Sequence, residues 1–452
     1  MGFGLKSGIA IVLLLIVSAT AVAYKQLKIA AQAYIYGYPL VLMDLTRQAM
    51  DDGEPANGFS HVRTFPDHNF RNVVRPNNDT LYSIAWLNLA SEPLVLSVPD
   101  TQDRYYVMPL MDAWSNVFAM VGKGSQGTLA ANYLIAGPDW NGDIPPDMDL
   151  IAAPTNMVWI IGRIQTNGRD DIAHVAGLQE QFQLTPLTRW GSREANPWRV
   201  AGQTKADSAD REIDPYLQID NMSGADYFSY LARLMGEQAP APADAAILDV
   251  MSGIDLIPGQ AFSPGPLQTW LLDTAKTVTH DGVQRQLSRG PDLENGWAVR
   301  RELIGTYGDH YGVRAGVSMF GLGALPPTEA VYPNTLLDGQ GRALNGEHAY
   351  KIHFSAGNLP PADAFWSLTM YDEQGFLVEN PIARYAIGDR DPLALNPDGS
   401  LDIYVQHKAP ADKTENWLPA PVGEFALTLR IYLPTDDFLD GSWQLPPVTR
   451  RD

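Results

Sequence analysis

The sequence predicts a mainly β protein in which two β-sandwich regions flank a helical insert. Three observations carry this. Short runs rich in Val, Ile, Leu, Tyr and Trp, divided by Pro, Gly, Asp and Asn, fill positions 81–164, the punctuation expected of sandwich strands. From about Asp170 the apolar residues recur every three to four positions, the period of a helix face. After Leu325 the strand-like runs return. At 452 residues the chain also exceeds one ordinary domain, since domains run to about 100–200 residues.

The first residues read as an export signal. Lys6 gives a modest positive start, Ile9 to Val17 an apolar core, and Ala21-Val22-Ala23 a small-x-small cleavage site. The expectation is a signal peptide over 1–23, with the remainder periplasmic or secreted. The alternative is an uncleaved anchor in the inner membrane over 7–23, a stretch short of the roughly 20 apolar residues of a spanning helix. Residues 24–70 follow as a helical segment and a loop. Leu27, Ala30, Ala31, Tyr34, Ile35 and Tyr38 keep helical spacing, while Gly37 and Pro39 predict a kink or a break.

Region 71–165 opens on polar turn chemistry, RNVVRPNNDT, and becomes a strand from Leu81 to Leu89. Further strands are expected at Leu94 to Val98, Tyr105 to Leu110, Val117 to Val121, Tyr133 to Ala136 and Val158 to Arg163. Region 166–325 is expected to be mostly helical, with helices from Ile172 to Phe182, Ala243 to Met251, Leu267 to Leu287 and Trp297 to about Phe320. Ser223 with Asp226 resembles a capping box that opens another. Region 326–452 is the second β region, with strands at Tyr350 to Phe354, Phe365 to Tyr371, Leu401 to Gln406 and Phe425 to Leu433.

Composition removes several function classes. A net charge of −20 argues against nucleic acid, whose binding rests on basic contacts to phosphate. The absence of cysteine excludes thiolate catalysis, thiolate metal sites, disulfides and a lipidated N-terminal cysteine. No nucleophile elbow, zincin motif, P-loop or dinucleotide fingerprint is present, so no cofactor is expected. His61 and His68 flank Asp67 in a loop without fixed geometry; they read as polar loop residues, and no metal site is assigned. His353 alternates out of a strand and is expected at the surface.

Four groups of residues can carry a function. Asn77, Asn78, Asp79 and Thr80 bring amides, a carboxylate and a hydroxyl to the mouth of an apolar strand, although Asx turns explain the same residues. Asp112, Trp114 and Asn116 follow a strand at one end of the first sandwich. Tyr307, Tyr311 and Arg314 share one face of the helix expected over Trp297 to Phe320, with Asp309 and His310 beside them; ligand contact and docking onto a sandwich both fit. In the last region Tyr371, Asn380, Arg384 and Trp417 gather around turns, where Arg–Asp pairs knit loops and aromatic rings suit a saccharide.

These residues also carry a resemblance. The stretch from Asn77 to Gly142, beginning NNDTLYSIAWLNLASEPLVLSVPD, resembles the N-terminal half of a bacterial family known as domain of unknown function 1254. The stretch from Phe365 to Pro434, beginning FWSLTMYDEQGFLVENPIARYAIGDRD, is similar to its usual partner, domain of unknown function 1214. AYIYGYPLVLMD and YGDHYGVRAGVSMFGLGALPPTEAVYP fit the same two-part family. The resemblance implies an immunoglobulin-like sandwich, a helical insert and a C-terminal jelly roll. It implies no chemistry.

Two functions therefore stand as expectations. The first is a non-catalytic cell-envelope protein that binds a polar small molecule or glycan, or assembles with itself as a homo-oligomer. The second is a cofactor-independent hydrolase or lyase, with Asp79 or Asp309 as general acid–base and Arg314 as electrostatic stabiliser; a carboxylate base near neutral pH needs a pKa raised by burial. Convergence of Asp79, Asp112, Asp309 and Arg314 would favour the enzyme, and dispersal the binder.

Overall fold

The computed structural model describes residues 3–50, 57–71, 74–192, 214–287, 290 and 293–451, with side chains from residue 20 onward. The leader or anchor expected over 1–23 therefore lies largely outside the described side chains. Among the described residues no helix is long and apolar enough to cross a membrane.

Helix α1 (Phe3–Ala49) runs unbroken through Gly37 and Pro39, so the expected break is corrected. Proline removes one rung of the helix and crowds the preceding turn. Here the flanking side chains Tyr34, Tyr36, Tyr38, Leu40 and Val41 are all buried, and tertiary packing outweighs the local penalty. Gly37 has a packing role. A Cβ there would lie 2.3 Å from Leu231 of a neighbouring helix.

The first β region holds β1 (Ser60–His61), β2 (Thr80–Asn88), β3 (Leu94–Val98), β4 (Tyr106–Asp112) and β5 (Val117–Gly122). It continues with β6 (Ala131–Ala136), β7 (Asp149–Ala152), β8 (Met157–Gln165) and β9 (Gln183–Pro186). One sheet has the order β1-β2-β8-β4-β5 and the other β7-β6-β3-β9. Leu81, Ala85, Leu87, Leu94, Leu96 and Met108 meet in a core fed by both sheets. Helix α2 (Ile172–Gln179) stops three residues before the expected end at Phe182, and the chain then returns as β9 to pair with β3.

The insert contains α3 (Pro215–Asn221), α4 (Gly224–Glu237), α5 (Ala245–Ser252) and α6 (Pro266–Leu287). Ser223 caps α4: its Oγ accepts from the Asp226 amide and donates to the Asp226 carboxylate at 2.6 Å. The insert does not form a core alone. α1 supplies its centre, with Tyr34, Tyr38 and Leu42 among Tyr227, Phe228, Leu231 and Leu272.

The helix expected over Trp297 to Phe320 is corrected. Strands β10 (Leu293–Glu294) and β11 (Trp297–Ala298) form a short hairpin, and α7 (Tyr311–Gly321) begins only after a loop. Leu303, Gly305 and Gly308 adopt positive φ in that loop, a conformation no helix admits.

The second β region comprises β12 (Ala330–Val331), β13 (Asn334–Thr335), β14 (Ala349–Phe354), β15 (Ala362–Asp372) and β16 (Ala386–Gly388). It is completed by β17 (Leu401–Gln406), β18 (Trp417–Pro419), β19 (Phe425–Pro434) and β20 (Thr449–Arg451). The long pair β15–β19 centres one sheet, which β10 and β11 extend; β18-β17-β14-β20 form the other. Trp366, Leu368, Ile403, Val405, Leu427 and Leu429 fill the core that both sheets share. The chain is thus mainly β with a helical insert, as the sequence predicts.

Candidate functional site

The Asn77–Thr80 turn joins the two β regions. Asn77 Oδ1 accepts from the Asp79 amide at 2.6 Å, an Asx turn, while its Nδ2 donates to Tyr432 Oη at 2.8 Å and Thr80 Oγ1 at 3.1 Å. Asp79 is 1% exposed. It accepts from Ser367 Oγ at 2.6 Å and forms an ion pair with Arg390, whose guanidinium lies 4.2 Å from the Phe365 ring centre. Next to it, buried Arg430 donates to Tyr371 Oη at 2.6 Å, Thr369 Oγ1 at 2.5 Å and the Arg75 carbonyl at 3.2 Å. Tyr371 in turn donates to the Pro76 carbonyl. In this cluster Asn78 Nδ2 is buried without a partner.

The Asp112 and Arg314 groups come together at a second junction. Asp112 to Asn116 form a tight hairpin whose fourth residue, Ser115, holds φ of 66°. Asp112 accepts from the amides of Trp114 (2.9 Å) and Asn116 (2.8 Å) and from Asn116 Nδ2. Burial pushes its carboxyl up to about 6, against the bonds from Asn116 and the charge of Arg314. Arg314 sits among the rings of Tyr36, Trp114 and Tyr311, at 5.3, 5.4 and 5.2 Å, and donates to the Tyr36 carbonyl. Tyr36 and Tyr311 both donate to Asp244. Tyr307 is buried in the loop before α7 rather than on the expected helix, and interacts electrostatically with Arg314 and Asp112. These contacts dock α1, α7 and the insert onto the β4–β5 hairpin.

Asp309 lies apart, with its side chain 89% exposed, so the four diagnostic residues do not converge. The polar groups of Tyr371, Arg384 and Trp417 serve the protein's own backbone: Tyr371 Oη donates to the Pro76 carbonyl. Arg384 donates to the carbonyls of Glu415 and Trp417, and the buried Trp417 indole donates to the Gln406 carbonyl. His61 pairs with Ser83 Oγ, and burial lowers its pKa to about 4. His68 pairs with Tyr385 Oη instead, and exposed His353 with Asp402. Among the described residues no three His, Asp or Glu side chains are placed to hold a metal.

A third cluster escaped the sequence reading. Strands β2 and β8 pair Tyr82 with Arg163, Ile84 with Ile161 and Trp86 with Trp159. Directly opposed residues share a face, so these six form a double row on the side of the sheet away from its core. Tyr82, Ile84, Trp86 and Ile161 stay half-buried. At one end Arg163, 6% exposed, lies 5.3 Å from the Tyr82 ring centre. Its described hydrogen bonds go to two backbone carbonyls, Ile161 at 3.0 Å and Gly323 at 2.8 Å. Tyr332, half-buried, and Tyr432 come from the second β region and interact electrostatically with Arg163. Glu329, bonded to Tyr105 Oη at 2.7 Å, also faces it; burial raises its carboxyl to about 7. At the other end the indoles of Trp86 and Trp159 stack at 4.9 Å. The signal was available: Arg163 is a lone charge in the apolar run VWIIGRI, and a buried charge demands a partner or a purpose.

Two β regions locked through buried arginines, with a helical insert on a shared α1, define a two-part architecture. The chain belongs to the family that pairs the protein of unknown function DUF1254, matched at residues 56–186, with the protein of unknown function DUF1214, matched at 329–436. It is similar to the VPA0106 protein from Vibrio parahaemolyticus, whose crystal structure is 25% identical with a TM-score of 0.73. That match covers 94% of this chain and 100% of the other. An uncharacterized protein from Burkholderia cenocepacia is 12% identical over 95% of each chain, with a TM-score of 0.44, too distant to carry an argument. No curated protein matches the chain.

Proposed function

We propose that this is an exported cell-envelope protein that binds a small molecule at the seam between its two β regions without transforming it. One observation carries the reading: Arg163 is a buried guanidinium bonded to two backbone carbonyls, at the head of a half-buried aromatic row. Sites at domain junctions with few polar groups in an apolar lining are the usual form of small-molecule pockets. Export rests on the sequence of residues 1–23. The hydrolase or lyase reading draws no support from its chosen acids, since Asp79 is ion-paired and Asp309 faces solvent.

Native mass spectrometry of the gently purified full chain tests the binding. A retained mass that is lost on denaturation, and reduced in the Tyr332→Phe variant, is the expected result. A bare chain mass in wild type and variant alike counts against the seam. The oligomeric state, for which a homo-oligomer is the expectation, is read in the same spectrum. Cell fractionation tests export: the chain should be recovered from the periplasm or envelope, and recovery from the cytoplasm alone removes that part.

A further inference from the structure

The dimensions and charge of the double row select a ligand class. From Tyr82 to Trp86 the strand advances four residues, about 13 Å at 3.3 Å each. An extended alkyl chain advances about 1.25 Å per carbon from ordinary bond geometry, so the row matches roughly ten carbons. Its middle is aliphatic, Ile84 opposite Ile161, and its far end is closed by the stacked indoles. Beside it Met120, Met319 and Leu322 are half-buried; methionine adapts its shape to flexible apolar partners.

The head end holds one cation, Arg163, that has no ion-pair contact among the described residues and is faced by the Glu329 carboxyl. Two of the five N–H groups of Arg163 serve backbone carbonyls. The other N–H groups of the planar guanidinium match a planar monoanion. A dianionic phosphate would call for a second cation, and the charges facing this end from the second β region are Arg430 and the carboxyl of Glu329. Arg430 is already committed to Tyr371, Thr369 and the Arg75 carbonyl. A glycan would need hydrogen-bonding groups all along the row, where Ile84 and Ile161 offer none and the donors are confined to the unpartnered indole Nε1 atoms of Trp86 and Trp159 at its far end.

We infer that the row binds a medium-chain carboxylate, its head on Arg163 and Tyr332 and its tail over Ile84 and Ile161 toward the Trp86–Trp159 pair. This rests on the reading that the seam holds a small ligand. The carboxylate gives Arg163 a contact anion that Glu329, bonded to Tyr105, does not supply, and the tail covers what stays exposed of a row that packs against the helical core through Ile84, Trp86, Trp159 and Ile161.

The test is isothermal titration of the full chain, in detergent-free buffer, with straight-chain carboxylates from butanoate to tetradecanoate and with decanol. Affinity should rise three- to fourfold per added methylene and level off near decanoate. Decanol should bind at least tenfold more weakly than decanoate. The Ile161→Trp variant, which shortens the row, should weaken decanoate at least tenfold and move the plateau to shorter chains; Tyr332→Phe, which removes one hydroxyl, should weaken every carboxylate by a similar factor. Equal binding of decanol and decanoate, or no dependence on chain length, overturns the carboxylate. If the native ligand still loses occupancy in Tyr332→Phe, only the class falls and the seam stands. If no ligand responds to either variant, both readings fall together.

Discussion

Half-buried Arg390 and buried Arg163 lie at the same seam, and the surroundings of one are the reverse of the other. Arg390 meets a carboxylate that also accepts from Ser367, on a residue whose amide is held by the Asn77 turn just before β2. Arg163, paired to that same strand two residues beyond Thr80, meets only carbonyl dipoles, aromatic rings and the raised carboxyl of Glu329. An ion pair in which each carboxylate oxygen has a donor is a joint, even with Arg390 Nε left without a hydrogen bond. A buried cation without a contact anion is costly, and such cost persists where it serves recognition. The comparison separates the polar cluster that fastens the two β regions from the one that remains chemically open.

The largest effect should come from the joint. Arg390→Met leaves Asp79 buried and uncompensated, and should destabilise the chain by about 3–5 kcal/mol. Urea denaturation checks this, and the Asp79→Asn, Arg390→Met double variant should recover much of the loss. If the single variant costs under ~1 kcal/mol, the joint is not what holds the regions together. Arg163→Met should cost less, about 1–3 kcal/mol for two charge-assisted bonds to carbonyls, while abolishing ligand retention in native mass spectrometry.

Glu329 gives a pH signature to the open cluster. Its carboxyl is raised from an ordinary 4.5 to about 7 by burial. The folded state therefore holds the proton more tightly than the unfolded chain, and this contribution is complete below about 4.5 and lost as pH rises through about 7. Wild-type stability should fall across that window. Glu329→Gln, which keeps an acceptor for Tyr105, should flatten that part of the profile; an unchanged slope would remove Glu329 from the account. The smallest stability effect should be Tyr332→Phe, within about 0.5 kcal/mol by thermal melting. A variant this mild that still empties the seam sharpens the contrast between joint and site.

Much of the fold was legible because its signals are local. The runs at Leu94 to Val98 and Leu401 to Gln406 became strands with those bounds, and Ser223 became the N-cap of α4, its hydroxyl bonded to both the amide and the carboxylate of Asp226. The failures have a common cause. α1 survives Pro39 because residues of α4 and α6 bury it, and the helix expected from Trp297 fails because Leu303, Gly305 and Gly308 take positive φ in a loop whose Gly305 carbonyl is bonded to the Val117 amide of β5. Of the candidate residues, the turn chemistry at Asn77–Asp79 was readable, but its partners stand 288 residues away at Ser367 and 311 away at Arg390. Asp112 and Arg314 were each singled out, and their meeting around Tyr36 was not.

By itself, then, the sequence determined the β–α–β order, the turns and caps, the two-part family and the list of polar residues worth suspecting. These follow from periodicity and backbone preference, which act over a few residues. Only the tertiary structure decided which of those residues are spent on one another. Whether a buried arginine finds a carboxylate depends on contacts between strands hundreds of residues apart, and no short-range pattern encodes that pairing.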